Sequence, residues 1–190
     1  MEKLKPIKND IQTILWCGPA AISAVTGEPV SKIVAMMKHL SGKRCVKGVS
    51  TGLMQRTLTM LGWEATTIHR FDRTKVPYGQ AAPIRLADGS RMTVITGGEH
   101  NYVEAKNRPT LARYCRQHRE DFQEHACIIE TTGHYVAIFG RRFCDNHTKE
   151  PVFLRKSPHR RARVQRVLQI KKVGGPDWKP KTDAWGRSNV

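Results

Sequence analysis

Apolar residues recur every three or four positions through the first third of the chain, a spacing typical of helices that bury one face. Residues 18–25 form a short run of small apolar side chains, and residues 32–40 and 53–61 form two amphipathic runs. Ser31 stands where a helix N-cap is expected, and Gly62 where a left-handed residue ends a helix. The pattern therefore predicts three consecutive helices before residue 63.

After residue 62 the pattern changes to short alternating or continuously apolar runs, which favour strands. Strands are predicted over residues 63–71, 92–95, 126–130, 134–139, 152–154 and 164–170. One further helix is predicted over residues 111–118, and Thr131-Thr132-Gly133 is short enough for a tight turn. Helices followed by antiparallel strands predict an α+β fold, in which N-terminal helices pack on a C-terminal antiparallel sheet.

The length of the chain and its turn residues predict one main domain. The chain has 190 residues, which is enough to bury a core without disulfide bonds. Residues 72–107 are rich in glycine, proline and turn residues, so we interpret them as a variable insertion within a domain of residues 1–170. Residues 171–190 are basic and contain glycine and proline, which favours a flexible tail.

The composition of the chain indicates the class of protein and the compartment in which to expect it. Hydrophobic residues make up 39% and charged residues 26% of the chain, as in globular proteins. No apolar run approaches the roughly 18 residues of a membrane helix, and residues 1–10 lack the apolar stretch of a secretory signal. Five irregularly spaced cysteines favour free thiols in a reducing compartment. We therefore expect a cytoplasmic protein without a membrane partner.

Charge is the strongest compositional signal. The chain carries 33 Lys and Arg against 16 Asp and Glu, a formal net charge of +17. Residues 141–190 hold 14 of these cations and four acids, which leaves +10 in that segment. We expect an acidic protein or peptide substrate, or nucleic acid bound by the basic C-terminal region. Residues 156–166 fit nucleic-acid contact or a solvated, charge-protected strand edge equally well.

The most informative segment is Gln12-Thr13-Ile14-Leu15-Trp16-Cys17-Gly18-Pro19. Cys17 stands at the first turn of a predicted helix, where unpaired N–H groups and the helix dipole lower a thiol pKa. Gly18 would let a substrate backbone come close. Gln12 would add a side-chain N–H beside the Cys17 backbone N–H to bind a developing oxyanion. The segment predicts a nucleophilic cysteine.

A base for this nucleophile is found downstream. His134 begins a predicted strand directly after a turn, a rigid position suited to proton transfer. Asp145 follows eleven residues later, and a reversal at residues 140–142 would return it to the His134 end of the hairpin. The sequence therefore predicts a Cys17–His134–Asp145 triad, in which Asp145 orients the imidazole.

These segments together resemble the papain-like cysteine peptidases, most closely the compact bacterial and phage branch related to bacteriocin-leader peptidases. The resemblance is carried by CGPAA, by the PTL helix start and by GHYVA followed by a spaced Asp, over roughly residues 10–170 with 72–107 unmatched. It implies a papain-like fold and acyl transfer through a thioester, with no metal or organic cofactor. Gln12 stands five residues before Cys17, where six is more usual, and Asn146 is an alternative to Asp145 as the third member.

Several functions fit these residues. We expect hydrolysis of a peptide or isopeptide bond, while deamidation or transamidation would use the same Cys-His pair. A catalytically silent papain-like fold, acting as a basic nucleic-acid-binding or phage accessory protein, is the alternative from another class. Host cytoplasm or virion would be the location of a phage-encoded chain. Zinc is disfavoured because the chain contains no CxxC or HxxxH pair.

Overall fold

The computed structural model describes residues 3–11, 15–71 and 108–174, together with the strands between residues 74 and 102. The chain divides into two compact units. Met1–Arg70 and Pro109–Val190 form the first unit, and Phe71–Arg108 form the second. The candidate chemistry that the structure describes lies in the first unit.

Four α-helices are described: α1 (Cys17–Thr26), α2 (Val30–Ser41), α3 (Thr51–Met60) and α4 (Leu111–Gln117). Helices α1 and α2 contain the predicted runs in full, whereas α3 and α4 each end one residue before the predicted end, with Leu61 and His118 as their C-caps. Ser50 caps α3 by accepting the Leu53 N–H at 3.3 Å. Gly62 has a φ of 80° directly after the end of α3, as its predicted role requires.

The prediction that Ser31 is an N-cap is wrong. Helix α2 begins at Val30, two residues earlier than predicted, with Pro29 at the N-cap position. The backbone N–H and hydroxyl of Ser31 both donate to the Asp10 carboxylate, so a residue distant in sequence satisfies this end of α2. The segment before α1 also contributes to the core, because Leu4 and Ile7 are buried.

Ten strands are described in chain order: β1 (Trp63–Arg70), β2 (Thr74–Pro77), β3 (Gln80–Arg85), β4 (Arg91–Thr96), β5 (Glu99–Tyr102), β6 (Ala126–Thr131), β7 (His134–Phe139), β8 (Arg142–Cys144), β9 (Val152–Phe153) and β10 (Val164–Lys172). Six of them form one antiparallel sheet in the order β1-β10-β6-β7-β8-β9. In the second unit, β2 pairs with β5 and β3 with β4. The predicted strand at 92–95 lies within β4, and β10 runs two residues further than predicted.

Helix α1 packs on the middle of this sheet, against β7 and β6. Its run of small residues lets the helix lie close to the strands, and Ala20, Ala21 and Ala24 are completely buried. Within the described part of the chain, no helix is long and apolar enough to cross a membrane. The predicted mixed α+β class is confirmed, and α1 lies where its first residue meets the start of β7.

Candidate active site

Cys17 is the first residue of α1 and is partly buried. The residue before it, Trp16, is the N-cap, and its indole has no acceptor for the free N–H groups of the first turn. These groups and the helix dipole therefore act on the Cys17 thiol. The expectation that Gly18 lets a substrate backbone come close is not met, because Gly18 is buried. A Cβ on it would lie 3.2 Å from the Val49 side chain and 3.3 Å from that of Met54.

His134 is the first residue of β7, directly after a two-residue turn in which Gly133 has a φ of 73°. Its carbonyl accepts the Thr131 hydroxyl at 3.1 Å, which fixes the backbone at the mouth of the hairpin. The next residue, Tyr135, is anchored by its hydroxyl, which donates to the Val49 carbonyl at 3.1 Å. The imidazole is therefore carried by a rigid strand end rather than by a loop.

Asp145 follows β8 and has a solvent exposure of 0%. One oxygen, Oδ2, lies 3.2 Å from Nε2 of His134. The other oxygen, Oδ1, accepts the backbone N–H groups of His147 at 3.0 Å and Thr148 at 2.9 Å, and the Thr148 hydroxyl at 3.1 Å. The carboxylate is thus fixed on one side by its own turn and presents its second oxygen to the imidazole.

Burial and hydrogen bonding oppose each other at the acid and the base. Burial raises the pKa of Asp145, but hydrogen bonds from His134 and Thr148 lower it to about 2. Burial lowers the pKa of His134, but its bonds to Asp145 and Cys17 raise it to about 9. The structure therefore favours a carboxylate beside a protonated imidazole at neutral pH.

The pKa of Cys17 is lowered from its ordinary value. Burial raises it, but the hydrogen bond from His134, a backbone hydrogen bond from Tyr135 and the charge of His134 outweigh that effect. Because Nε2 of His134 is hydrogen-bonded to Asp145, Nδ1 is the ring nitrogen that is available to interact with the thiol. The arrangement favours a thiolate–imidazolium pair, which is the reactive form of a cysteine nucleophile.

The buried cysteines elsewhere are shifted the opposite way. Burial raises the pKa of Cys115 to about 12 and that of Cys144 to about 12. It also raises the pKa of Cys127. Cys45 is exposed on the surface. Cys17 is therefore distinguished from the three buried thiols by the imidazole of His134, which lowers its pKa.

The structure bears on the predicted role of Asn146 but not on that of Gln12. The side-chain amide of Asn146 donates to the Leu15 carbonyl at 3.2 Å, so it links the end of β8 to the segment before Cys17 instead of contacting His134. The imidazole is contacted by Asp145, and Asn146 does not take that place. Gln12 lies outside the described residues, and its expected oxyanion role stays a prediction.

Two further histidines, His147 and His159, were not predicted. The ring of His159 stacks on His134 with centroids 4.0 Å apart and an angle of 27°, and its Nε2 lies 3.3 Å from Oδ2 of Asp145. Burial lowers the pKa of His159, and the charge of His134 adds to this. A neutral ring therefore covers the charged one. His159 could not be predicted from the sequence, because it lies 25 residues after His134 on a segment without helical or strand periodicity.

The described residues include two side-chain groups with metal-ligand geometry. His134, His147 and His159 bring their ring nitrogens within 4.8 Å of one another. In a separate group, Asp121 Oδ2 lies 3.3 Å from Nε2 of His69 and 3.8 Å from Nδ1 of His118. Imidazole and carboxylate donors at such separations suit zinc. A cation on the first group would engage His134, the same imidazole that lowers the pKa of Cys17.

No protein-family model, no curated protein and no solved structure matches this chain. The comparisons therefore place it in no family, and the likeness to papain-like peptidases rests on sequence motifs.

Proposed function

We propose that this protein is a papain-like cysteine hydrolase that cleaves an amide bond through Cys17, His134 and Asp145. The observation that carries the proposal is the placement of Cys17 as the first residue of α1, beside His134, whose imidazole is fixed by a buried carboxylate and lowers the pKa of the Cys17 thiol. Burial of a carboxylate and an imidazolium is costly unless they are paired. The Asp145–His134 pair would keep Cys17 as a reactive thiolate, which is a catalytic role for this buried pair.

In the proposed acylation step, the Cys17 sulfur attacks the carbonyl carbon of the substrate amide. The carbonyl oxygen takes up the negative charge beside the N–H groups at the start of α1, with Gln12 as the proposed second donor. His134 then gives its Nδ1 proton to the leaving nitrogen as the C–N bond breaks. An amine departs, and a thioester remains on Cys17.

In the proposed deacylation step, neutral His134 removes a proton from water, and the resulting hydroxyl attacks the thioester. The C–S bond breaks, a carboxylic acid leaves, and the thiolate–imidazolium pair is restored. Asp145 stabilises the imidazolium and keeps its Nδ1 directed at sulfur in both steps. An amine in place of water gives transamidation, and a carboxamide side chain as substrate gives deamidation.

The decisive experiment treats wild type, Cys17→Ala and Cys17→Ser with a fluorescent iodoacetamide at pH 6 in a Cys45→Ser background. Cys45 is removed because it is exposed, and the other three cysteines are buried. We expect rapid labelling that depends on Cys17. Labelling of the native protein that is equally fast in Cys17→Ala would refute an activated Cys17 and favour a catalytically silent fold.

The class of reaction is separated by incubating wild type and Cys17→Ala with a complex peptide mixture and comparing the products by mass spectrometry. New N-termini indicate hydrolysis, Asn-to-Asp or Gln-to-Glu conversion indicates deamidation, and amine adducts indicate transamidation. We expect new N-termini in wild type only. We further propose a cytoplasmic location, since five free thiols suit a reducing compartment.

A further inference from the structure

A groove of about 550 Å³ lies in the first unit, between α4, the β7–β8 turn and the segment that follows β9. Its charged lining residues are all arginines: Arg116, Arg119, Arg141, Arg155 and Arg160. All five are exposed. Five guanidinium groups around one concavity form a surface to which anions are attracted.

The walls of the groove are held together by backbone hydrogen bonds. The Leu154 N–H donates to the Arg141 carbonyl at 2.9 Å, and the Ala112 N–H donates to the Arg160 carbonyl at 3.0 Å. The guanidinium of Arg160 also donates to the Arg155 carbonyl at 3.3 Å. The like charges are therefore brought together by the fold itself.

Within the described residues, none of the five guanidinium groups lies within 4 Å of a carboxylate. Neighbouring like charges repel one another, and an ion pair with a nearby acid is the usual compensation. A bound polyanion would supply the missing negative charge. Guanidinium groups are suited to this because their donors match two phosphate oxygens at once.

An aromatic ring stands in the wall of the groove. Phe153 is 45% exposed, and among the described large apolar side chains only Val173 is also exposed. The guanidinium carbons of Arg142 and Arg155 lie 4.9 Å and 5.8 Å from its ring centre. Exposed rings and guanidinium planes are the surfaces on which unpaired nucleobases stack. An acidic peptide would have no comparable use for them.

A second depression of about 330 Å³ shares Ala112 and Arg160 with the groove and is also lined by Arg161. Two adjoining basic depressions suit a polymer better than a single phosphate ion. We infer that this arginine groove binds single-stranded nucleic acid, with its phosphates on the guanidinium groups and a base on Phe153. The inference is independent of the proposed hydrolase activity.

The test is fluorescence anisotropy with a labelled oligodeoxythymidine of about 20 nucleotides, longer than the roughly 4–16 nucleotides that comparable grooves cover. If each guanidinium neutralises one phosphate, the slope of log K against log salt should be about −3.5. Affinity would then fall about a hundredfold between about 50 and 200 mM salt. Phe153→Leu should weaken binding by about tenfold through the lost stacking surface.

Matched charge variants separate a groove from diffuse attraction. Replacing Arg116, Arg119 and Arg141 by Glu lowers the formal net charge from +17 by 6 to +11. Replacing the exposed Lys43, Arg44 and Lys47 by Glu lowers it by the same amount. We expect the first triple variant to lose most of the affinity and to make the salt slope less steep by about 2, while the second stays close to wild type.

Equal losses in the two triple variants would overturn the inference, since binding would then follow net charge alone. Unchanged binding in Phe153→Leu, with polyglutamate competing as well as the oligonucleotide, would overturn it in favour of an acidic protein partner. A preference for duplex over single strand would overturn it as well. Circular dichroism of each variant confirms that a loss of binding is not a loss of folding.

Discussion

The substitution Asp145→Asn tests whether the carboxylate creates the charge state of the site. In wild type, Oδ1 of Asp145 accepts three hydrogen bonds from the His147 and Thr148 turn. These donors would hold the oxygen of an asparagine in the same place and turn its NH₂ group toward Nε2 of His134. An amide donor facing Nε2 forbids a proton there, so the imidazole cannot be protonated at both nitrogens.

The consequence is large because both pKa shifts depend on this imidazolium. The pKa of His134 should fall from about 9 to below its ordinary 6.5, and the pKa of Cys17 should return toward 9.0 or above. A thiol with a pKa of 9.0 is ionised to about 0.1% at pH 6, which bounds the loss of thiolate near a thousandfold. Low-pKa thiolates are weaker nucleophiles, so we expect a rate loss between about tenfold and a thousandfold.

The assay is the second-order rate of Cys17 alkylation by iodoacetamide from pH 5 to pH 10, in the Cys45→Ser background. Wild type should react well at pH 6, whereas Asp145→Asn should follow the ionisation of an ordinary thiol. Asp121→Asn is the matched control, because Asp121 also faces two histidines but lies in the other cluster. A wild-type rate profile in Asp145→Asn would refute the reasoning.

Three further outcomes are expected. Zn²⁺ should slow Cys17 alkylation by binding His134 together with His147 and His159. His147→Ala should raise the inhibitory concentration by at least about tenfold while His118→Ala leaves it unchanged; equal sensitivity of both variants would contradict this. Gly18→Ala should destabilise the fold by about 1–3 kcal/mol in denaturant unfolding, since its Cβ would lie 3.2 Å from a neighbouring carbon. Gly52→Ala, which has open space in the described structure, should instead stabilise by about 0.5–1 kcal/mol. Because the folded pKa of Asp145 is about 2 against 3.8, the stability advantage of wild type over Asp145→Asn should be present above pH 3.8 and shrink as pH falls toward 2; an advantage that is constant across this range would count against it.

Local patterns predicted the elements well because each one is encoded within a few consecutive residues. The 3.6-residue periodicity located α2 and α3, and the predicted reversal at residues 140–142 is the β7–β8 hairpin that brings Asp145 back toward His134. The Asp10–Ser31 contact could not be predicted in the same way, since it joins residues 21 positions apart. Periodicity does not indicate which distant carboxylate will satisfy a helix end.

The candidate site shows the same division. Cys17 and His134 could be predicted because each stands at a recognisable element boundary. His159 could not, because its place on the His134 ring depends on how an irregular segment after β9 folds back over the sheet. Asp145 and Asn146 could be separated only by coordinates, since one residue along a turn decides which side chain meets the imidazole and which meets Leu15.

The position of the arginine groove changes how the basic composition is explained. A thiolate, an imidazolium and a carboxylate leave the candidate site with one net negative charge, although the chain carries +17 overall. The arginines line a groove beside the β7–β8 turn, whereas His134 begins β7 at its other end. Six residues of strand separate these ends by roughly 17–20 Å. Arg141 at that turn is thus far from His134, whereas Arg160 directly follows His159, whose ring covers His134. The groove therefore extends from the far end of β7 toward the site, and the net charge of the chain by itself gives no reason for a substrate that is acidic at the cleaved bond.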